Sequence, residues 1–393
     1  MKKYLLIATA AIAAMAACTR NEINDPRPES PIRFSVINHL QQTKATAGLE
    51  YPKTVPFGAY AWWTQNNWEG KTADQNFVFM NNQEVAYDAT NKEWAPTTAF
   101  YWTKTGYITF ASYSPYTAEG KDNGYSAVPT YDVAKGFLFT NYTIVDNTNV
   151  DLMYANLAAD CTKNTNKNGA DVTDGANPEG AFTGVPTVFN HALCQIGFEF
   201  RAIGRKNPNV QEIKVVLNDV DIKNIDKKGS FIQIPASGAK WASNHTNLTE
   251  YDYAPATAIE LPLIENTAAN VAATNNYTSL NKTRILLPQE LGEDDDPTDL
   301  TVDPIATTKD QKLVVNYKIM IKYTSAPTVW ATEEVTSEVR LNNGTITAWR
   351  DNQNITYRIS INPYSTVPVT FDPAVADWTD VYSTDIDLNQ FDD

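Results

Sequence analysis

Residues 32–37 read Ile32-Arg33-Phe34-Ser35-Val36-Ile37. Apolar and polar side chains alternate from Ile32 to Val36, and a period of two is that of a β-strand with one buried face. Ile32, Phe34 and Val36 therefore lie on that face. The same kind of short run, rich in Val, Ile, Thr, Tyr, Phe and Trp, recurs along the chain between clusters of Asn, Asp, Gly and Pro. Few segments show the 3.6-residue period of a helix, so the pattern predicts an all-β protein.

A chain of 393 residues is longer than one hydrophobic core usually accommodates. The segment 161–184 is crowded with Asn, Thr, Lys, Asp and Gly, which marks a domain boundary or a long loop. We therefore predict one β-sandwich domain over 31–184 and a second over 185–393, which ends in an acidic tail. Residues 88–92, between Tyr87 and Trp94, predict a hairpin turn. The predicted strands are 32–37, 55–63, 84–88, 107–113 and 150–154 in the first domain, and 188–200, 210–222, 231–234, 284–287, 313–323, 335–341, 355–361 and 367–371 in the second.

The first 18 residues have the pattern of an export signal. Lys2 and Lys3 precede an apolar run, 4–14, that is too short to cross a bilayer, which takes ~20 residues. Met15-Ala16-Ala17-Cys18 then has the form of a lipobox, in which the cysteine thiol takes lipid before the chain is cut. We predict a lipoprotein signal peptide over 1–17, lipidation at Cys18 and a polar tether over 18–30. The alternative is an ordinary signal-peptidase site beside a cysteine that has no role.

The chain is acidic. Its formal charge is −15, and the loss of Lys2 and Lys3 with the signal brings the mature chain near −17 (−15 − 2). Binding to nucleic acid depends on clustered Lys and Arg, so this charge argues against a nucleic-acid partner. No segment after the signal has transmembrane length. The acidic run 293–296 predicts a solvated loop rather than a calcium site, because no spaced ligand pattern continues from it.

No catalytic, cofactor-binding or metal-binding constellation is evident, so we predict a protein that is not an enzyme and needs no cofactor. His39, His191 and His245 are far apart, and the remaining cysteines, Cys161 and Cys194, complete no zinc pattern. His191 lies on a predicted strand and is expected to be a hydrogen-bonded structural residue. The two thiols could pair in an oxidising compartment, but we expect Cys194 to be a buried strand residue. No pair of carboxylates is marked as a glycosidase pair by its surroundings.

Several short blocks, taken in order, resemble the fimbrillin family, whose members form the shaft, tip and anchor of type V pili. The first strand followed by Thr43-Lys44-Ala45 is similar to the family's first strand and the segment after it. The other blocks are Val55-Pro56-Phe57-Gly58-Ala59-Tyr60-Ala61, Tyr101-Trp102 before Tyr107-Ile108-Thr109-Phe110-Ala111-Ser112-Tyr113-Ser114-Pro115, Phe189-Asn190-His191-Ala192-Leu193-Cys194-Gln195-Ile196, Leu286-Leu287-Pro288-Gln289, Trp349 with Tyr357-Arg358-Ile359-Ser360-Ile361, and Val375-Ala376-Asp377-Trp378. Together they cover nearly the whole mature chain.

This resemblance implies two transthyretin-like, Greek-key β-sandwich domains and assembly by donor-strand exchange. In that scheme the subunit crosses to the cell surface as a lipoprotein, a protease cuts after Arg or Lys behind the first strand, and that strand leaves. Here a cut between Lys44 and Ala45 would release Ile32, Phe34 and Val36. Lys44 departs from the arginine often found there, so an arginine-specific protease would not cut. A loop that is never cleaved is the alternative.

The vacated groove would be filled by a strand of another fimbrillin subunit, in a homopolymer or a heteropolymer. The tail 379–393 is the candidate donor through Val381, Ile386 and Leu388, although only Ile386-Asp387-Leu388 keeps a period of two. A frayed acidic terminus is the alternative, and the chain would then be a tip or accessory subunit. The resemblance implies a lipid anchor in the outer membrane, a place in a cell-surface fimbrium, and a host glycan or protein as an adhesion ligand.

Glycan binding is the second interpretation of the function. Trp62, Trp63 and Trp68, with Tyr60 nearby, could offer rings to sugar faces, as in surface lipoproteins of polysaccharide-utilisation systems. Adjacent Trp62 and Trp63 point to opposite faces if they lie on a strand, so we expect at least one of them in the core.

Overall fold

The computed structural model describes residues 30–38, 51–68, 77–145, 150–163, 184–205, 207–236, 238–243, 246–273, 275–292, 311–342, 344–364 and 369–377. Several predicted features lie outside these residues and stay predictions. They are the signal peptide and Cys18, the cut site at Lys44 and Ala45, the acidic run 293–296, His39, His245, and the tail with Val381, Ile386 and Leu388.

The described part of the chain is nearly all strand, which confirms the all-β prediction. Its one short helix, α1, spans Ala268–Ala272, and none of the described helices is long and apolar enough to cross a membrane. The strands are β1 Phe34–Asn38, β2 Phe57–Thr64, β3 Phe77–Asp88, β4 Glu93–Pro96, β5 Tyr107–Ser114, β6 Thr130–Asp132, β7 Gly136–Thr143, β8 Met153–Ala155, β9 Ala158–Cys161, β10 Val185–His191, β11 Cys194–Gly204, β12 Val210–Asp226, β13 Lys228–Ile232, β14 Trp241–Ala242, β15 Leu248–Asp252, β16 Ile259–Glu265, β17 Thr278–Leu286, β18 Gln289–Glu290, β19 Lys312–Tyr323, β20 Ala331–Arg340, β21 Ala348–Trp349, β22 Gln353–Ile361 and β23 Val369–Asp377.

The first sheet closes on itself. Its strands follow the order β2-β3-β4-β1-β10-β8-β5-β9, and β2 also pairs with β5. The path from β2 through β5 therefore forms a closed, barrel-like ring, with β9 attached to β5. In this ring β1 lies between β4 and β10. It runs parallel to β10 over five register pairs, from Phe34↔Val185 to Asn38↔Phe189, but meets β4 at one pair, Phe34↔Trp94.

A nine-stranded sheet forms the second half of the molecule. Its order is β20-β19-β12-β16-β11-β22-β23, with β15 paired to β12 and β17 to β11. A four-stranded sheet, β14-β13-β7-β6, joins strands from both halves, because β7 precedes the predicted boundary and β13 follows it. The strands β18 and β21 pair with each other.

Two clusters of buried side chains fill the fold. The smaller lies inside the ring and contains Ile32, Phe34, Phe57, Phe110 and Phe189 among its members. The larger runs across both halves of the chain, because it combines aromatic residues of the first sheet with the buried faces of β11, β12, β19 and β22. Both cores are rich in aromatic rings.

The predicted single strand over 188–200 is wrong. The chain leaves β10 at His191 and starts β11 at Cys194, and these two strands belong to different sheets. Ala192 and Leu193 are fully buried at the crossing, where the amide of Ala192 donates to the carbonyl of Leu152 (2.8 Å). Apolar character therefore continues through the turn and hides it from a pattern-based reading. The strand β10, which we assigned to the second domain, completes the first sheet. The division into two domains stays a prediction.

Candidate functional site

The site of interest is the place of β1 in the ring, which we call the β1 seat. One side of it is antiparallel backbone pairing. The amide of Ile32 donates to the carbonyl of Phe100 (2.8 Å), and the amide of Trp102 donates to the carbonyl of Ser30 (3.1 Å). These bonds extend the strand's pairing toward its N-terminal end, before the contact with β4 begins. They involve main-chain atoms alone, so they place few demands on sequence.

The other side of the β1 seat is formed by β10. The amide of Val185 donates to the carbonyl of Arg33 (2.7 Å), and the parallel ladder continues from there. Gly184 lies immediately before this strand. A Cβ atom at that position would come within 2.5 Å of the carbonyl oxygen of Arg33, so only glycine permits the approach. Sequence reasoning missed Gly184 because the close contact joins residues that are 151 positions apart in the chain (184 − 33).

The inward face of the first strand is buried, as the alternation predicts. Ile32 is fully buried, and Phe34 is 4% exposed. The ring of Phe34 meets Phe57 and Phe110 edge to face, with centroids 5.5 and 5.6 Å apart. Val36 is partly buried and packs against the same cluster. Each large side chain buried in this way contributes ~1.5–3 kcal/mol, so the first strand stabilises the ring substantially.

The seat has an aromatic floor that β1 covers. Tyr51 stacks on Phe189 with centroids 5.1 Å apart, and Trp94 lies 5.2 Å from Tyr51. Phe57 contacts Trp94 at 5.5 Å, while Trp102 contacts Phe110 at 5.9 Å from the other side. Removing the first strand would leave a groove in which Phe57 and Phe110, the two rings that Phe34 contacts, are uncovered. Such a groove, between two strands with unpaired backbone groups, is a template for another strand.

The outward face carries a charge pair. Arg33 Nε lies 2.7 Å from Glu93 Oε1, and both side chains are about one-third exposed (27% and 31%). Glu93 begins β4 directly after the turn that Asp88 holds. The carboxylate of Asp88 accepts hydrogen bonds from the amides of Thr90 (2.8 Å) and Asn91 (3.2 Å). These bonds, with a smaller contribution from the charge of Arg33, lower the pKa of Asp88. The turn confirms the predicted hairpin.

Polar groups are also buried near the ring. His191 is 3% exposed, and its Nδ1 lies 2.7 Å from Asp151 Oδ2, which confirms the expected structural histidine. The hydroxyl of Tyr51 shares a 2.6 Å hydrogen bond with Ser114. Burial raises the pKa of Tyr51 above its usual value. None of these groups is arranged as a nucleophile with an activating base.

Both described cysteines are free and buried. Cys194 Sγ lies 3.3 Å from the carbonyl of Leu286, which fits the expected strand position. Burial raises the pKa of Cys161 to about 12 and also raises that of Cys194. Burial thus favours the protonated form of both thiols, and no disulfide joins them.

The tryptophans of β2 face opposite ways. Trp62 packs against the larger core and lies 5.6 Å from Trp68 and 5.1 Å from Tyr131. Trp63 packs against the smaller core, 5.7 Å from Phe77, and its indole nitrogen donates to a backbone carbonyl. The expected opposition of the two side chains is confirmed. Both are partly buried against a core, and the rings of Trp62 and Trp68 contact each other.

A cleft of about 540 Å³ lies beside β14, β18 and β21. Trp241 forms part of its wall. Lys240 is paired with Asp351 at 2.7 Å, and Arg350 is paired with Glu290. The four charged side chains that line the cleft are thus paired with one another.

Three carboxylates meet on β12 and β15. Oxygens of Asp219, Asp221 and Asp252 lie within 4.8 Å of one another. The ammonium group of Lys282 is 3.3 Å from Asp252 and offsets part of this charge. Burial, and secondarily Asp219, raise the pKa of Asp221. The sequence offered no signal for this group because the register of two strands brings it together.

Comparisons with known proteins identify the family of this chain and a solved structure of the same fold. Residues 46–378 match a family model described as fimbrillin-like. A fimbrial protein from Bacteroides vulgatus has the same fold, with a TM-score of 0.56 and 17% identity over 89% of this chain and 99% of that one. A proposed cell adhesion protein from Parabacteroides distasonis aligns with a TM-score of 0.48 and 12% identity over 89% of this chain and 96% of that one. The tip fimbrial protein Mfa3 from Porphyromonas gingivalis, truncated at its C-terminus, aligns with a TM-score of 0.30 and 10% identity over 82% and 94%. The comparison with curated proteins found no match.

Proposed function

Because the chain belongs to the fimbrillin-like family, we propose that it is a pilus subunit that is exported as a lipoprotein and assembled by donor-strand exchange. In this proposal the signal 1–17 is removed, Cys18 carries the lipid that anchors the protein in the outer membrane, and 18–30 is the tether. The cut between Lys44 and Ala45 releases the first strand. The finished protein acts in a cell-surface fimbrium and mediates adhesion through a host glycan or protein.

The observation that carries the proposal is the position of β1. It is the one described strand between β4 and β10, so its departure would open the ring at a single place. The sequence 39–50 joins it to the rest of the chain and contains Lys44 and Ala45. The departure of β1 would uncover the aromatic rings beneath it and leave backbone groups of β4 and β10 unpaired. A strand from another subunit would restore this burial together with hydrogen bonds worth ~0.5–1.5 kcal/mol each.

A reversible lock of β1 tests the exchange. Ser35 and Pro186 are register partners, and both are half-exposed, so Ser35→Cys with Pro186→Cys can join β1 to β10 without entering the core. We expect the oxidised double variant to remain monomeric. The reduced protein should polymerise and give a ladder of high-mass bands when unboiled samples are run on a gel. Each single cysteine variant is the control. A locked chain that polymerises as fully as the reduced chain would contradict strand exchange.

The tail 379–393 is the proposed donor toward the next subunit, through Val381, Ile386 and Leu388. If it does not donate, the chain is a tip or accessory subunit. Deleting the tail separates the two roles. If the chain is a donor, the variant without the tail no longer binds the subunit that would receive it. If the chain is a tip, that variant keeps its normal place in the fibre.

Glycan binding remains a second candidate because Trp62, Trp68 and Tyr131 group their rings at one surface. Aromatic rings can stack on the apolar faces of sugars. Under this alternative the protein stays at its full mature mass and is retarded in polysaccharide gels, and Trp62→Ala abolishes the retardation. Unchanged mobility in such gels would remove the alternative.

A further inference from the structure

We propose that the β1 seat selects its incoming strand by charge, accepting an apolar–basic–apolar strand from a different subunit and disfavouring the tail of this same chain. The inference rests on the proposed strand exchange and names the kind of partner that enters. The strand in the β1 seat makes three kinds of contact, which we call layers, through its backbone, its inward side chains and its outward side chain, and the inference follows from comparing them.

The backbone layer does not discriminate. Main-chain atoms alone make the hydrogen bonds of Ile32 with Phe100 and of Arg33 with Val185. Gly184 clears space for a strand's carbonyl rather than for a particular side chain. Any extended segment that can run beside β10 satisfies this layer.

The inward layer demands two bulky apolar residues at positions i and i+2. Ile32 is fully buried and Phe34 nearly so, and the ring of Phe34 fills the space between Phe57 and Phe110. A polar residue at either place would lose these contacts and be buried without a partner. Many strands meet this demand, so the layer sets a pattern but not an identity.

The outward layer discriminates by charge. The residue between the two apolar positions is Arg33, which pairs with Glu93 at 2.7 Å. Asp88 is the register partner of Glu93 across the hairpin of β3 and β4, and the charge of Arg33 makes a small contribution to lowering its pKa. A replacement strand thus presents its middle residue to two carboxylates. A cation there is attracted, whereas an anion meets like charge, which is destabilising between neighbouring strands.

The tail of this chain offers the wrong charge. In 379–393 only Ile386 and Leu388 form an i, i+2 pair of large apolar residues, and Asp387 lies between them. Whichever direction the tail runs, Asp387 occupies the position of Arg33 when Ile386 and Leu388 fill the two apolar places. Growth of a uniform polymer through this register is therefore disfavoured, and the partner is a second subunit with a basic residue at this place.

A charge-swap cycle in the intact chain tests the selectivity without strand exchange. We expect Arg33→Asp to raise the equilibrium constant for unfolding about fivefold more than Arg33→Asn does, since an exposed pair is worth up to ~1 kcal/mol. Adding Glu93→Lys to Arg33→Asp should restore the stability that Arg33→Asp alone loses. Equal effects of Asp and Asn at position 33, with no rescue, would overturn the inference.

Peptide exchange then tests the partner. A site for a sequence-specific protease is inserted between Lys44 and Ala45 of the full chain, and the cut protein is offered labelled peptides. We expect a peptide of 30–38 to bind about fivefold more tightly than the same peptide with Arg33→Asp, and the tail peptide 382–392 to gain about fivefold with Asp387→Arg. In the Glu93→Lys protein, each peptide should bind more tightly with Asp than with Arg at its middle position.

The outcomes separate the two claims. Binding of all peptides with equal affinity would overturn the charge selection and leave strand exchange standing. Absence of binding by every peptide to the cut chain, with the uncut chain as control, would overturn strand exchange and the partner inference with it.

Discussion

Asp88 illustrates how one exposed side chain sets the geometry of the β1 seat. Its carboxylate accepts hydrogen bonds from the amide and side chain of Asn91 and from the amide of Thr90, and these bonds lower its pKa. A group whose pKa is lowered by folding adds stability above its unfolded pKa of ~3.9, and that stability is lost as pH falls through the folded value. The turn that places Glu93 opposite Arg33 therefore weakens in acid.

We predict that Asp88→Ala lowers the stability of the protein at pH 7, and that the difference from the native protein shrinks as the pH falls and Asp88 itself becomes protonated. Urea unfolding across this pH range measures the effect. Asp132→Ala is the matched control, because Asp132 accepts similar bonds from Ala134 and Lys135 in a turn outside the seat. A difference that persists undiminished at the lowest pH would contradict the assignment.

We predict that Cys161 and Cys194 resist alkylation in the folded protein. The thiolate is the reactive form, and burial raises the pKa of Cys161 to about 12. Mass spectrometry after iodoacetamide treatment of the Cys18→Ser chain should find no modification in buffer and two modifications in denaturant. Rapid labelling in buffer, or a mass two hydrogens lower in the untreated chain, would show that the thiols are accessible or joined.

At the scale of the element, β1 combines tight side-chain packing with a short hydrogen-bonded ladder. We predict that Phe34→Ala destabilises the monomer by ~3–5 kcal/mol, the usual cost of removing a buried phenyl ring. Val36→Ala, at a partly buried place, should cost far less. Denaturant unfolding of the monomer gives both values. The assembled fibre should be insensitive to Phe34→Ala if β1 has left, and equal destabilisation of fibre and monomer would contradict its release.

The sequence was informative for strands whose period of two is undisturbed. The first strand, β12 and β22 were predicted near their observed places for this reason. The strands β2 and β5 were also found, but from their richness in aromatic and β-branched residues, because their buried residues run without alternation. The strand β7 was missed, because its buried residues Phe137, Phe139 and Tyr142 break the alternation. The crossing between β10 and β11 was missed for the opposite reason, since Ala192 and Leu193 are as buried as the strands they join.

The same distinction applies to the candidate site. Ile32 and Phe34 could be found from alternation, which is local. Glu93 and Gly184 could not, because each acquires its role from the register of a distant strand. The carboxylate group on β12 and β15 arises in the same way. Local patterns thus identified the strand that is exchanged in our account, and only the fold identified what selects its replacement.

At the scale of the molecule, the two halves share a core and a sheet. Lys240, which follows β13, donates to the hydroxyl of Tyr154 on β8 (2.8 Å) and to Asp351 before β22 (2.7 Å). The pairing of β7 with β13 adds a main-chain connection. The ring is therefore joined to the rest of the molecule through the shared core and through the contact of Tyr154 with Lys240. These connections would keep the rest of the ring in place while one strand is exchanged.

The N-terminal residue of subunits in fibres shed from cells tests the central claim most directly. If the first strand is a temporary occupant of the β1 seat, subunits released from purified fibres begin at Ala45 and contain no residues 30–38. If those subunits begin at lipidated Cys18 and retain 30–38, the strand was never exchanged and the account is wrong.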